Sequence, residues 1–283
     1  MSAPDHVTVL SLGAGVQSSA LYALAVEGTV GPRPDVAVFA DTQQEPPWVY
    51  GQLVELERFG AGVLPITIVS GGDLGEAVRK KIGALSGRFA SVPFWVESEA
   101  TPGRAAPGRR QCTREFKIDV VHQEIRRRLG LGPRQQAPAR GKTACTWIGI
   151  STDEASRAKD SRVPWVTNRW PLLELRLSRA DCEAVLRACG LPVPEKSACV
   201  FCPYRQDVEW ARWRERHPEQ FARAVAWDEA VRDASRAGLR RPQFVSRSLA
   251  PLASLPPLDV LQSEARGPQL NLFEAECEGM CGV

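Results

Sequence analysis

Apolar positions near the start of the chain gather in one short run, residues 7–10, of the length and character of a buried strand. It opens directly into Ser11-Leu12-Gly13-Ala14-Gly15-Val16-Gln17-Ser18-Ser19, followed by a helix-like stretch over 20–27 that Gly28 stops. The strand pattern returns at 36–40, just before Asp41-Thr42, again at 65–69, and a fourth time at 146–151. Between the third and fourth runs the pattern predicts a helix over 118–129, flanked by loops rich in Gly, Pro and Arg. From Ser178 onward the periodicity is helical: Ser178 caps a helix carrying Val185 and Leu186 that ends at Gly190, and further helices cover 207–216 and 218–237. Strands alternating with helices predict an α/β protein, Rossmann-like, with a doubly wound parallel sheet and a C-terminal helical, cysteine-bearing extension. The expected organisation is an α/β nucleotide-binding domain over 1–177, with a basic loop or lid at about 100–142, and a helical region over 178–283.

Composition narrows the class. A chain of 283 residues, 43% hydrophobic, buries a full core and fits one large α/β domain with a smaller appendage. The start lacks a basic segment followed by an apolar one, and no later run is long enough to span a bilayer, so the expectation is a soluble, cytoplasmic protein without a membrane partner. In that reducing compartment eight cysteines are read for metal or catalysis rather than for disulfides, and three histidines leave little scope for an imidazole site. The net charge of +3 is uneven: Arg104 to Lys142 holds eleven Lys/Arg against three Asp/Glu. Such a block either attracts a polyanion such as a nucleic acid or forms a solvated loop.

The 11–19 segment carries the first chemistry. Small residues between a strand and a helix let backbone N–H groups approach phosphate oxygens, serine hydroxyls add donors, and the helix N-terminus favours negative charge. A glycine turn alone is equally a tight strand-to-helix connection. The GxxxxGK[ST] spacing is absent, and the GxGxxG pattern is broken at Ser18. Arg114, Lys117 and Arg157 are candidates to stabilise a phosphoryl transition state, with surface pairing of Arg157 to Asp153 and Glu154 as the alternative. Those two carboxylates are also the candidate ligands for Mg2+.

Three segments in order carry a resemblance. Ser11-x-Gly13-x-Gly15-Val16-Gln17-Ser18-Ser19 resembles a variant PP-loop, Val38-Phe39-Ala40-Asp41-Thr42-Gln43-Gln44-Glu45 resembles the "DTG.E" second-strand motif, and Arg110-Gln111-Cys112-Thr113-x-x-x-Lys117 resembles the "R.CT..K" element. Gly149-Ile150-Ser151-x-Asp153-Glu154-x-x-Arg157 and Trp170-Pro171-Leu172 are similar to later elements of the phosphoadenylylsulfate (PAPS) reductase-like branch. The chain thus resembles the PP-loop ATP pyrophosphatase, or adenine nucleotide α-hydrolase, superfamily over roughly its first two-thirds. The resemblance implies a HUP-type fold, chemistry at an adenylyl α-phosphate, and adenine lying near Asp41 and Thr42. It also implies a nucleotide site formed by Ser11, Gly13, Gly15, Gln17, Ser18, Ser19, Asp41, Thr42 and Arg114. Gln17 replaces the usual PP-loop Asp, and Gln43 stands where the second motif has Gly.

Cys199-Val200-Phe201-Cys202 is a CxxC chelate, and Cys277 with Cys281 offers a second pair. Spacing alone leaves zinc and an iron-sulfur cluster equally open. The resemblance favours a cluster held by four of Cys112, Cys199, Cys202, Cys277 and Cys281, with the remaining terminal thiol a nucleophile or sulfur carrier; a zinc clasp of Cys199, Cys202, Cys277 and Cys281 is the alternative. Cys182 and Cys189 share one helix face and read as core, as do Trp210, Trp213, Phe221 and Trp227, and Cys145, just before the fourth strand, reads either as a thiol approaching the nucleotide or, at least as well, as a buried small hydrophobe. The expected function is ATP-dependent adenylation and sulfur transfer to a nucleic-acid or small-molecule acceptor, drawing on a sulfur donor, with Cys112, Lys117, Arg157 and Cys281 as the catalytic candidates. The alternatives are an adenylylsulfate or phosphoadenylylsulfate reductase served by a thioredoxin-like reductant, and a non-catalytic nucleotide-sensing or nucleic-acid-binding module with a structural metal.

Overall fold

The computed structural model describes residues 3–83, 92–132, 134–232 and 241–264. In chain order, β1 (His6–Leu12) leads into α1 (Val16–Val26), followed by β2 (Val36–Asp41), α2 (Pro47–Phe59) and β3 (Ile66–Ser70). Then come α3 (Leu74–Gly83), the short strands β4 (Trp95–Glu97) and β5 (Ala105–Pro107), and a wide π-type turn over Arg114–Ile118 that runs into α4 (Asp119–Arg128). The remaining elements are β6 (Thr143–Ile148), β7 (Val166–Arg169), α5 (Pro171–Glu174), α6 (Arg179–Ala188), α7 (Asp207–Arg216), α8 (Pro218–Arg232) and α9 (Leu258–Glu264). Two compact units result, each built from separate stretches of chain: the first from the chain up to Gly71 with Thr113–Ser197, the second from Gly72–Cys112 with the described chain from Ala198.

The first unit is an α/β Rossmann-like fold. Its five strands run parallel in the order β3-β2-β1-β6-β7. Successive crossovers therefore leave β1 in one direction toward β3, and the chain later returns to its other side at β6. The crevice beyond the carboxyl end of β1 is the switch point where such sheets take ligands. Both faces are covered, which is why β2 reads as a continuous apolar run rather than an alternation. Leu10, Leu12, Phe39 and Trp147 pack with α1, α2 and α6, while Val7, Val9, Val36, Val38 and Ile148 pack with Val121, Ile125 and Leu129 of α4 and its end.

Helix α1 begins at Val16, earlier than its periodicity predicts: every residue from Val16 to Ala25 is buried, the polar Gln17, Ser18 and Ser19 included, so its first turn shows no amphipathic pattern. The fourth predicted strand, 146–151, lies instead at Thr143–Ile148. It ends there because the chain then presses against α1: a Cβ on Gly149 would lie 2.9 Å from both the Cα and the N of Ser18. Helix α6 is capped as its sequence predicts. Ser178 Oγ accepts the Asp181 N–H while Asp181 accepts the Ser178 N–H, and Gly190 takes a left-handed φ of +70° just past the end. On this helix Cys182 is fully buried and Cys189 packs beside it, so both thiols serve the core.

The cationic stretch is largely engaged by its own neighbourhood. Arg127 and Arg128 pair with Glu124 at 2.7 and 2.8 Å, and Arg126 donates to the carbonyls of Gly132 and Gln135. Lys142 donates to the carbonyls of Ala3 and Pro4 and pairs with Asp5 at 2.7 Å.

In the second unit β4 and β5 pair antiparallel, and Trp95 also bridges to Phe244. The core is aromatic: Phe94, Phe201, Trp210, Trp213 and Trp227 are buried, with the Phe201 and Trp227 rings 4.5 Å apart. These tryptophans pack helices rather than offer faces to a ligand. Asp228, itself buried, accepts the N–H groups of Val245 and Leu252 at 2.9 Å and pairs with Arg232, fastening the 245–252 segment to α8. No helix among the described residues is long and apolar enough to cross a membrane.

Candidate functional site

The segment from Ser11 to Ser19 closes over the carboxyl end of the central strand. Ser18, in the first turn of α1, turns its hydroxyl back on the loop, where Oγ accepts the N–H groups of Gly13 and Gly15 at 3.2 Å each. Ala14 between them adopts φ +55°, the left-handed conformation the tight reversal requires. From outside the loop, Ser197 donates to the Gly13 carbonyl at 2.5 Å. Ser19 is fully buried, and its hydroxyl has no hydrogen-bond partner among the described residues. A compact reversal ending at the N-terminus of an 11-residue helix is a place where an anion is favoured by the helix dipole.

Facing this loop is a small cleft lined by Ser11, Leu12, Gly13, Phe39, Ala40, Lys117 and Val121. Lys117 reaches it from the wide turn before α4, and such turns are frequent at functional positions. Its ammonium donates to Glu45 Oε1 at 3.2 Å, with the two side chains 10% and 0% exposed. The same carboxylate oxygen accepts the Thr42 hydroxyl at 3.2 Å, so the Asp41–Glu45 turn and Lys117 form one buried cluster. Arg114, at the start of the same turn, is largely exposed and sits 3.8 Å from Asp119.

Asp41 is held at the end of β2 by two donors, the Gln43 N–H at 2.7 Å and the Tyr50 hydroxyl at 2.9 Å. Gln43 itself adopts φ +60°. The position that is glycine in the resembled motif thus retains a conformation glycine enters freely. Gln43 is fastened there by an Nε2 hydrogen bond to Ser70 Oγ, which in turn donates to the Asp41 carbonyl.

On the other side of the loop, Gln17 joins two arginines. Its Nε2 donates to Glu154 Oε2 at 3.5 Å, Glu154 pairs with Arg157, and its Oε1 accepts from Arg179 Nη1 at 3.2 Å. The ion pair raised as the alternative role of Arg157 is therefore present. Asp153 accepts the Arg179 N–H at 2.5 Å and the Ser151 hydroxyl at 3.2 Å. Both carboxylates considered for Mg2+ are thus engaged by protein donors.

Three of the candidate metal-ligating cysteines lie in the second unit. Cys112, Cys199 and Cys202 are each partly exposed. The Cys202 N–H donates to the Cys199 carbonyl at 3.0 Å, closing the tight turn that a CxxC chelate needs, and the Arg205 N–H continues it to the Cys202 carbonyl. Cys277 and Cys281 fall outside the described residues. Among the described residues no three His, Cys, Asp or Glu side chains gather as a metal site. The turn alone supplies two thiolates, short of the four ligands of a closed zinc site. Cys145, on β6, is partly buried beside the core, and burial pushes its thiol above the ordinary cysteine range. That is the state of a packed thiol, not of a nucleophile.

Two pairings within the site carry no sequence signal. Glu45 belongs to the second motif, but its pairing with Lys117 spans 72 positions. Arg179 is legible only as the first residue of a capped helix, and its contact with Gln17 spans 162.

No protein-family model matches this chain, and comparison with curated proteins finds no match. Among solved structures, the phosphoadenylyl-sulfate (PAPS) reductase of Candida auris, in its phosphate complex, is similar at a TM-score of 0.36 and 13% identity, over 67% of this chain and 74% of that one. The assignment of the fold rests on the parallel sheet itself and its central switch point.

Proposed function

We propose that the chain is an enzyme that seats an adenylyl nucleotide on the β1–α1 loop and uses it for adenylation and sulfur transfer. The observation that carries the reading is the shared cleft: the loop residues Ser11 and Gly13 and the ammonium-bearing Lys117 line one opening at the carboxyl end of the central strand. A helix N-terminus and a buried cation beside one another form an environment for phosphate. In this reading Gly13, Gly15, Ser18 and Ser19 hold the phosphates, while Lys117, Arg114 and Arg157 offset the charge that gathers on phosphorus. Asp41 and Thr42 border the adenine. With ATP, an acceptor oxygen attacks the α-phosphorus, the bond to the β-phosphate oxygen breaks, and pyrophosphate leaves. The terminal sulfur of a persulfide donor then displaces AMP, so that a carbon–sulfur bond replaces the carbon–oxygen one, and a second thiol cleaves the donor's S–S bond, forming a disulfide with the donor and releasing the thiolated acceptor. Adenylation turns a poor leaving oxygen into AMP, so the protein's task is positioning and charge stabilisation.

Cys112, Cys199 and Cys202, with Cys277 and Cys281, remain the proposed thiol set. Iron, sulfide and zinc analysis of anaerobically purified protein and of Cys199→Ala reports whether that set holds a metal. The reaction is tested by supplying ATP with candidate acceptors and measuring pyrophosphate. Pyrophosphate release that disappears in Lys117→Met supports the proposal. Sulfite release from an adenylylsulfate replaces it with the reductase reading, and the absence of both products together with nucleotide binding indicates a sensing module.

A further inference from the structure

Resting on that reading of the loop, we infer that Arg179 is a specificity-determining residue of the nucleotide site, one that recognises the charged group distal to the α-phosphate. Arg179 is the first residue of α6, and its backbone is fixed twice over. Its N–H is bonded to Asp153 at 2.5 Å, and the preceding Ser178 forms a reciprocal cap with Asp181. From this anchored start the side chain extends to α1, where Nη1 reaches Gln17 Oε1 at 3.2 Å. Gln17 is 1% exposed and lies one residue before Ser18, whose hydroxyl holds the loop amides. The guanidinium therefore stands against the first turn of the helix that favours the phosphates, and it remains about one-third exposed.

The chemistry of position 17 explains why the contact is possible. Gln17 bridges a cation on one side, Arg179, and an anion on the other, Glu154, because its amide accepts from the first through Oε1 while donating to the second through Nε2. An acidic residue at 17 would meet the Glu154 carboxylate directly and repel it. The neutral bridge lets Glu154 hold Arg157 while Arg179 is aligned from the opposite side. Glu183 Oε1 lies 3.8 Å from Arg179 Nε, and Asp153 accepts the Arg179 backbone N–H. Guanidinium is the side chain suited to this task, since its planar fork matches phosphate and sulfate oxygens. A nucleotide ending at the α-phosphate would leave Arg179 outside its contacts, whereas a triphosphate or a sulfate-bearing nucleotide would extend to it.

The test compares ATP with AMP by titration calorimetry on the full chain and on Arg179→Gln, which keeps a hydrogen-bonding amide and removes the charge. Wild type is expected to prefer ATP, and Arg179→Gln to lose about 10–100-fold in ATP affinity with AMP affinity unchanged, the scale of one charge-assisted hydrogen bond. Should Arg179→Gln fail to fold by circular dichroism, Arg179→Lys, which keeps charge but not the fork, is read the same way, with a smaller loss for ATP and none for AMP. A purely structural role would weaken both ligands together, and that result overturns the inference, as does ATP binding equal to wild type. Failure of wild type to bind either nucleotide overturns the reading of the loop itself and is thereby distinguishable from failure of the Arg179 assignment.

Discussion

Lys117→Met removes the ammonium from a pair in which Lys117 is 10% exposed and the Glu45 side chain fully buried. Methionine keeps length and apolar volume, so the change isolates the charge. It takes from the buried Glu45 carboxylate the ammonium at 3.2 Å, while Thr42 still supplies a donor. Breaking a buried pair from one side costs about 3–5 kcal/mol, whereas neutralising both partners is often close to neutral. The single variant is therefore expected to lose about 3–5 kcal/mol in urea denaturation at neutral pH, and Lys117→Met/Glu45→Gln to recover at least about half of that loss. The double variant then separates folding from binding: it should be folded by circular dichroism yet bind ATP more weakly, because the cation of the cleft is gone. A loss below about 1 kcal/mol in the single variant is the behaviour of an exposed pair and would refute the reasoning.

Gly149→Ala places a Cβ 2.9 Å from the Ser18 backbone, which has no flexible end to yield; a loss of about 1–3 kcal/mol and weakened nucleotide binding are expected, measured by urea melts and calorimetry. Tyr22, whose phenol is pushed up to about 12, chiefly by burial and secondarily by the charge of Glu57, donates to the Leu64 carbonyl at 2.6 Å. Tyr22→Phe should cost about 1–2 kcal/mol by leaving that carbonyl without its donor. Gly60→Ala should also destabilise, since its Cβ would fall 1.9 Å from the phenol oxygen, and Tyr22→Phe should relieve it only in part because the ring carbon is still 2.7 Å away. The Arg127 hydrogen bond foremost, with help from Arg128, holds the Glu124 carboxyl below the usual glutamate range. A depressed carboxyl contributes stability above its unfolded pKa and loses it as pH falls through the folded one. Glu124→Gln should accordingly be less stable than wild type at neutral pH and converge on it in acid; a constant gap across that range would contradict the assignment.

The sheet and its loop were legible because they are written in local patterns. Three of the parallel strands are apolar runs bounded by turns, and the α6 cap is a Ser-x-x-Asp signature followed by glycine. Strand β7 was not legible: Val166–Arg169 buries only Val166 outright and has no alternation long enough to register. The start of β6 was missed for a related reason, since Thr143 is exposed and the strand's apolar character begins only at Ala144. The basic stretch carried a charge signal but not its partners: for Arg126, Arg127 and Arg128 these include backbone carbonyls and Glu124 nearby in the chain, but for Lys117 and Lys142 they are Glu45 and Asp5, far away in sequence. The site divides similarly. The loop, Asp41, Thr42 and Lys117 lie in motifs that can be read along the chain, while the bridge from Arg157 through Glu154 and Gln17 to Arg179 exists only after β1, β6 and α6 are brought together.

Titration of the purified chain with ATP, beside a variant carrying Gly149→Val, tests most directly whether the β1–α1 loop is a nucleotide site. Saturable ATP binding to the wild type, lost or strongly weakened in a variant that keeps its circular dichroism spectrum, is the predicted result. No binding of ATP or an adenylylsulfate to the wild type, or equal binding by the folded variant, would contradict the account.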